Sequence, residues 1–282
     1  MGKPATRRIS SGRRADLAVL VGPCLAAAGI LAGLFLEGGR VNDLHQLSAA
    51  LIVFGGTAGA LVLTTPISVI RSALRRARAL FWVRDDQPEE LIGRLTEYAR
   101  LARWHGISVL EPTAAAIQEP FWRKALTLAV DEADEDTIRQ AMDLEMNIQA
   151  MAVDNDAGVF EAAAGYAPTI GILGAILGLI QVMKHIDDIA AIGGGIATAF
   201  VATLYGVGLA NLVLLPLAQR VRLRAQKAML MNELVVEGVI GIRQGLNPVL
   251  LRAKLSAFAP PTRLAEPPQI VVSHEQPRAI SA

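Results

Sequence analysis

The most apolar stretches of this chain contain no charged residue. Four runs, at 17–36, 47–66, 162–183 and 192–219, have no acidic or basic side chain in their interiors. Each run is long enough to cross a bilayer, which takes about 20 apolar residues. Membrane proteins that move ions usually keep a carboxylate or a base at membrane depth. If this chain lines an ion path, the titrating group must therefore come from another chain.

Cysteine, histidine and catalytic motifs are also scarce. The one cysteine, Cys24, lies in the first apolar run, so no disulfide can form within the chain. The four histidines are scattered without metal-ligand spacing. No Ser–His–Asp or Cys–His arrangement is suggested, and Gly193-Gly194-Gly195 lacks the spacing of a phosphate-binding loop. We therefore predict a protein that is not an enzyme, holds no cofactor or metal, and binds no nucleic acid.

Hydropathy and charge predict an all-α membrane protein with four transmembrane helices and a helical cytoplasmic domain between the second and third. The chain is 52% hydrophobic with a mean hydropathy of +0.40, too apolar for an ordinary soluble domain. Its net charge of +1 hides three basic clusters. These are Lys3, Arg7, Arg8, Arg13 and Arg14; Arg71, Arg75, Arg76 and Arg78; and Arg220, Arg222, Arg224 and Lys227. Because basic residues favour the cytoplasmic side, both termini and the long middle segment are expected there.

The sequence predicts six segments. They are a basic cytoplasmic tail (1–15), spans one and two (16–66), a helical cytoplasmic domain (67–157), spans three and four with the ion pathway (158–219), a cytoplasmic amphipathic helix (220–256) and a disordered tail (257–282). Glycine, alanine and threonine recur at steps of three and four in spans three and four, which predicts close helix packing.

The end of the middle segment is acidic. Between Asp131 and Glu161 the sequence has ten acidic residues against one base, Arg139. This stretch is either a solvated helix packed on its neighbours or an acidic docking surface.

Two residues of spans three and four are candidates for an ion pathway. At 1.5 Å per residue, Thr203 and Ala175 fall at comparable depth, ~14 Å in from the connection between the spans. The Thr203 hydroxyl either bonds back to its own helix or faces a partner helix and offers an oxygen to a passing ion or water. Ala175 supplies no oxygen, which disfavours Na⁺; a proton needs only a hydrogen-bonded chain.

Two prolines lie near the cytoplasmic ends of the same spans. Pro168 and Pro216 lack an N–H and so free the carbonyls of Ala164 and Leu212. They are either tolerated kinks or a bend through which a small change in the ion path moves the cytoplasmic segment.

The motifs in these spans resemble a known family. The stretches 165–179 (GYAPTIGILGAILGL), 199–206 (AFVATLYG) and 216–218 (PLA) closely resemble the flagellar motor stator A subunit, the MotA/PomA family within the wider MotA/TolQ/ExbB proton channel group. The resemblance covers roughly residues 17–258. ExbB and TolQ proteins have one span before the cytoplasmic segment and are the weaker match, so an ExbB/TolQ-type energiser of outer-membrane transport is the alternative.

The resemblance implies an assembly in the bacterial inner membrane. Five copies would form a ring around a dimer of a single-span B-type subunit, which supplies the membrane aspartate. Ion flow would then drive torque on the rotor through contacts with a switch-complex protein, and membrane lipid would surround the ring.

The resemblance also implies roles for single residues. Arg103 and Glu111 flank a glycine-containing turn in the pattern of the family's rotor contact, although surface charges are most often ordinary solvated groups. Pro168, Pro216 and Thr203 match the family's prolines and pore threonine. Sodium-driven members carry a second threonine where this chain has Ala175, which favours protons. Ser48 on span two offers another hydroxyl, so Na⁺ stays the alternative ion.

Overall fold

The computed structural model describes residues 14–15, 17–83 and 87–259. The chain divides into two compact units, the first comprising Met1–Asp86 and Asp136–Asn232, the second Gln87–Glu135 and Glu233–Ala282. The described residues are almost entirely helical, as the sequence predicts. A two-residue antiparallel pair, β1 (Arg14–Ala15) with β2 (Trp82–Val83), is the exception.

The first unit contains the helices that carry the apolar stretches, and the arginine-bearing helix α4. In chain order its helices are α1 (Leu17–Leu36), α2 (Leu47–Ala50), a π-helical segment (Leu51–Gly55), α3 (Gly56–Thr64), α4 (Ile67–Leu80), α8 (Glu135–Lys184), α9 (Ile189–Gly208), a second π-helical segment (Leu209–Leu214) and α10 (Leu215–Arg243). Of these, α8 belongs to the first unit from Asp136 onward and α10 up to Asn232. Three described stretches are long and apolar enough to cross a membrane: Leu47–Thr64, Glu135–Lys184 and Ile192–Arg243. Cys24–Leu36 is a shorter apolar helix.

Glycines let α8 and α9 approach to backbone contact. A Cβ added at Gly206 would lie 2.5 Å from the Ala167 carbonyl oxygen, and one at Gly178 would lie 2.7 Å from the Gly195 carbonyl oxygen. No side chain fits in that space. The close packing predicted from the small-residue spacing is therefore confirmed, and it follows the rule that membrane helices associate through van der Waals contact.

Beyond the apolar stretches, α4 packs against α8 and α10. Ala73, Ala77 and Leu80 of α4 are buried in a cluster with residues of the other two helices. The partners are Val153, Ala157, Val159 and Phe160 of α8 and Ala218 and Val221 of α10.

The second unit is a small helical domain. It contains α5 (Pro88–His105), a 3₁₀ turn (Ile107–Leu110), α6 (Glu111–Ala116), α7 (Pro120–Val130) and α11 (Pro248–Leu255), which is followed by a 3₁₀ turn (Ser256–Phe258). A proline stands in the first turn of all four helices, where its missing N–H costs nothing. The buried core is apolar and includes Leu110, Phe121, Leu126, Leu251 and Leu255.

Candidate ion pathway and ion-pair cluster

Thr203 lies on α9 where that helix meets α8. A Cβ added at Gly171 would lie 3.4 Å from the Thr203 Cα. The Thr203 hydroxyl donates to the Ala199 carbonyl at 3.2 Å, and its side chain is half-buried. A threonine in an apolar helix commonly donates its hydroxyl in this way to the carbonyl four residues earlier. The donor is thus satisfied within the helix, and the oxygen keeps its lone pairs for a water or ion.

Ala175 lies one helical turn along α8 from Gly171. Its neighbour Gly174 faces Ala202, because a Cβ added at Gly174 would lie 2.7 Å from the Ala202 Cβ. The structure therefore brings Ala175 and Thr203 to neighbouring turns of one helix–helix contact. The hydroxyl is on α9, and the facing stretch of α8 contributes only glycine, alanine and apolar side chains.

Ser48 lies away from Thr203 and Ala175, in a different part of the first unit. It lines a cavity of about 540 Å³ together with residues of the π-helical segment, α8 and α9. The other lining residues are Gln46, Ile52, Leu177, Gly178, Gln181, Gly194, Gly195 and Thr198. These residues lie toward the connection between α8 and α9. The structure thus brings Ser48 together with Gln46, Gln181 and Thr198, not with Thr203.

The two prolines are accommodated differently. Pro168 stands inside α8, whereas Pro216 lies in the first turn of α10, directly after the π-helical segment Leu209–Leu214. A π-helical turn carries a shifted hydrogen-bond register, so it can absorb the bond that the Pro216 ring removes. Ala164 and Ala167, which precede Pro168 on α8, are buried in one cluster with Ala210 of the π-helical segment.

Charged residues gather just beyond the apolar stretches. Asp156 on α8 is only 3% exposed. Its carboxylate accepts hydrogen bonds from the Arg76 Nε at 2.7 Å and the Ser72 hydroxyl at 3.1 Å. A buried carboxylate is costly unless it is paired and hydrogen-bonded, and α4 provides both.

A second group of ion pairs joins α8 to α10. The Arg222 guanidinium donates to Asp154 at 2.9 Å and also to Glu161. The hydrogen bonds to Glu161, and next those to Asp154, raise the pKa of Arg222 above its ordinary value, so it stays charged. We call Arg76, Asp154, Asp156, Glu161 and Arg222 the ion-pair cluster.

Sequence inspection missed this cluster as a unit. Its signal was present: two basic clusters and an acidic stretch of opposite sign. Three of the ten acids in the acidic stretch (Asp154, Asp156 and Glu161) pair with arginines of the first unit. These pairs favour the interpretation of this part of the stretch as a helix packed on its neighbours. Which acid meets which arginine depends on residues 61 to 80 positions apart.

Arg103 and Glu111 lie in the second unit, on either side of one turn. Arg103 is in the last turn of α5 and Glu111 in the first turn of α6, and both are exposed. Each charge complements the dipole of its own helix end. Gly106, with φ of 81°, makes the turn between them. Within the described part of the chain, neither has an ion-pair partner, while Trp104 beside them is 79% exposed.

Together these features define a class of protein. The apolar stretches of α8 and α9 pack through glycines and contain threonine but no acidic or basic side chain, and an ion-pair cluster lies on the helices just beyond these stretches. Such a molecule is a helical membrane protein whose described apolar stretches contain no acidic or basic side chain.

Comparison with known proteins places the chain in a family. Residues 113–233 match the MotA/TolQ/ExbB proton channel family. The chain is 33% identical to Motility protein A of Bacillus subtilis, over 87% of this chain and 91% of that protein. It is also similar to C. jejuni MotAB (TM-score 0.82, 27% identity, 95% of this chain and 100% of that one). The flagellar MotAB stator complex from Bacillus subtilis is similar too (TM-score 0.80, 32% identity, 86% and 95%). The chain belongs to the MotA/TolQ/ExbB proton channel family.

Proposed function

We propose that this chain is the channel-forming subunit of a flagellar stator, which converts proton flow into torque on the rotor. The observation that carries the proposal is the absence of any acidic or basic side chain from the described apolar stretches 162–183 of α8 and 192–208 of α9, which pack through glycines around Thr203. Similarity to Motility protein A and to MotAB stator structures supports the same function. These relatives give no support to an ExbB/TolQ-type energiser. The activity is transport coupled to movement, without enzymatic catalysis and without a cofactor.

The missing carboxylate defines the partner. A single-span B-type subunit supplies an aspartate at the depth of Thr203, and copies of this chain surround it, five in number by the family resemblance. The similar solved structures are MotAB complexes, which supports both a B-type partner and an oligomer.

The proposed placement is the bacterial inner membrane, with four spans and both termini in the cytoplasm. α1 has 20 residues, enough for a fourth span, beside the three stretches that are long and apolar enough to cross a membrane. The basic residues that follow spans two and four, including Arg71 and Arg222, favour the cytoplasmic side.

We propose that the proton path passes Thr203 and Ala175. Na⁺ needs several oxygen ligands, and this level offers one hydroxyl whose donor is already used. The cavity at Ser48 lies nearer the connection between α8 and α9 and is the alternative place where a Na⁺ ion could find oxygen ligands. Pro168 and Pro216 are the proposed bends between the path and the ion-pair cluster. Arg103 and Glu111 are the proposed contact with the rotor switch protein.

The test is reconstitution of the chain with its single-span partner in vesicles. We expect proton flux that is lost when the partner's aspartate is replaced by asparagine, and no flux from this chain alone. Swimming speed should fall with a protonophore and be indifferent to external Na⁺. Brisk conduction by this chain without any partner would refute the proposal.

A further inference from the structure

The exposed face of α4 carries arginines and large apolar residues side by side. Arg71, Arg75 and Arg78 are all exposed. Ile67, Leu74 and Phe81, at intervals of seven residues, are 54%, 53% and 41% exposed. At 3.6 residues per turn, all six fall within an arc of about 120°. The opposite face is the buried one that packs on α8 and α10.

These arginines differ from their neighbour Arg76. Arg76 is held by Asp156, whereas Arg71, Arg75 and Arg78 have no hydrogen-bond or ion-pair partner within the described ranges. Their three positive charges are therefore available to an external anion. Guanidinium groups suit phosphate because they can donate two parallel hydrogen bonds to it.

The position of α4 indicates the source of the anion. Pro66 alone separates α4 from Thr65, and α3 ends at Thr64. Arg76 bonds Asp156, which lies five residues from Glu161, the charged residue that precedes span three. At 1.5 Å per residue this is ~8 Å beyond the apolar stretch, about one Debye length at physiological ionic strength.

We propose that α4 binds anionic phospholipid headgroups of the cytoplasmic leaflet, with its three free arginines on the phosphates and Ile67, Leu74 and Phe81 at the acyl boundary. A mixture of basic and large apolar residues on one face is typical of helices that lie in a membrane interface. The inference rests on the proposed membrane placement of the chain. It adds a lipid class and a binding surface to that placement.

The test compares lipids on the purified complex of this chain with its single-span partner. Phosphatidylglycerol, phosphatidylcholine or inorganic phosphate is titrated into the detergent-solubilised complex, and bound lipid is counted by native mass spectrometry. The variant is Arg71→Gln/Arg75→Gln/Arg78→Gln. The matched control, Arg94→Gln/Arg100→Gln/Arg252→Gln, removes the same charge from the second unit.

Each basic residue near an anionic surface contributes about fivefold in affinity. We expect selective phosphatidylglycerol binding that weakens by about a hundredfold in the variant and is unchanged in the control. An Arg→Lys triple variant, which keeps the charge and the fold, should retain most of the binding.

Three results would overturn the inference. They are equal binding of both lipids by the wild type, equal competition by inorganic phosphate, and dissociation of the ring in the variant with lipid binding unchanged, which would assign the face to a neighbouring copy. The measurement needs no flux. Lipid selectivity without proton flux would reject the proposed function alone, and flux without selectivity would reject this inference alone.

Discussion

The backbone contact between α8 and α9 predicts a large difference between two glycines that are two residues apart. At Gly206 an added methyl would lie 2.5 Å from the Ala167 carbonyl oxygen and 3.2 Å from the Gly171 Cα. At Gly208 nothing lies within 4 Å of the same methyl. Both positions are in α9. Gly206→Ala and Gly208→Ala therefore add the same methyl group to the same helix and differ only in what that methyl group contacts.

The magnitude follows from two opposing terms. Replacing glycine by alanine in a helix stabilises it by up to about 1 kcal/mol. At Gly206 the obstructing atoms are backbone, so the helices must separate by about 1 Å to restore ordinary carbon contacts of about 3.5 Å. Such overpacking costs about 1–3 kcal/mol. The propensity gain cancels in the comparison, which leaves Gly206→Ala less stable than Gly208→Ala by about 1–3 kcal/mol.

The assay is thermal unfolding of the complex with its single-span partner, followed by proton flux in vesicles. We expect a lower melting temperature and reduced flux for Gly206→Ala, because Thr203 lies in the same contact. Gly208→Ala should match or exceed the wild type in stability. Equal melting temperatures for the two variants would refute the backbone contact.

Three further predictions concern the charged and polar sites. Asp156→Asn should destabilise the complex by about 2–4 kcal/mol, because breaking a buried pair is costly and Arg76 keeps partial access to water; a thermal shift no larger than that of an exposed Glu97→Gln control would contradict this. Thr203→Val should leave cells flagellated but slow, with Thr203→Ser retaining most of the speed; normal swimming of the valine variant would remove Thr203 from the path. Arg103→Glu should impair motility while changing the free energy of unfolding by no more than about 0.5 kcal/mol, because Arg103 is a surface residue. The opposite charge change on the switch protein should partly restore motility. Full motility of the single variant would mean that Arg103 is not part of the rotor contact.

Much of the fold could be predicted from local sequence. Apolar runs of sufficient length give membrane helices because the bilayer sets their length. Small residues at steps of three and four predicted the contact between α8 and α9. Pro88, Pro112 and Pro120 stand in the first turns of α5, α6 and α7, where a proline loses no hydrogen bond.

The remaining features depend on tertiary contacts. The π-helical segments at 51–55 and 209–214 have the same apolar composition as the α-helices around them, so no local pattern distinguishes them. The pairing of Asp156 with Arg76 joins residues 80 positions apart. Charge signs alone leave many partners open, and only the packing of α4 on α8 selects one. The separation of Ser48 from Thr203 is likewise a result of how three helices meet.

The order of features along α8 and α10 connects the proposed path to the charges. On α8 the contact glycine Gly171 is followed, toward the chain start, by Pro168, then Glu161 and Asp156. At 1.5 Å per residue, Pro168 lies ~18 Å from Asp156, and Pro216 on α10 lies ~9 Å from Arg222. Each helix thus has a hydrogen-bond defect between the path and the ion-pair cluster. Because the cluster ties both helices to each other and to α4, we expect any change in the angle between them to occur at the prolines. Under the proposed function, α8 and α10 would therefore move at the prolines when a partner's carboxylate is protonated, while the ion-pair cluster keeps their cytoplasmic ends together.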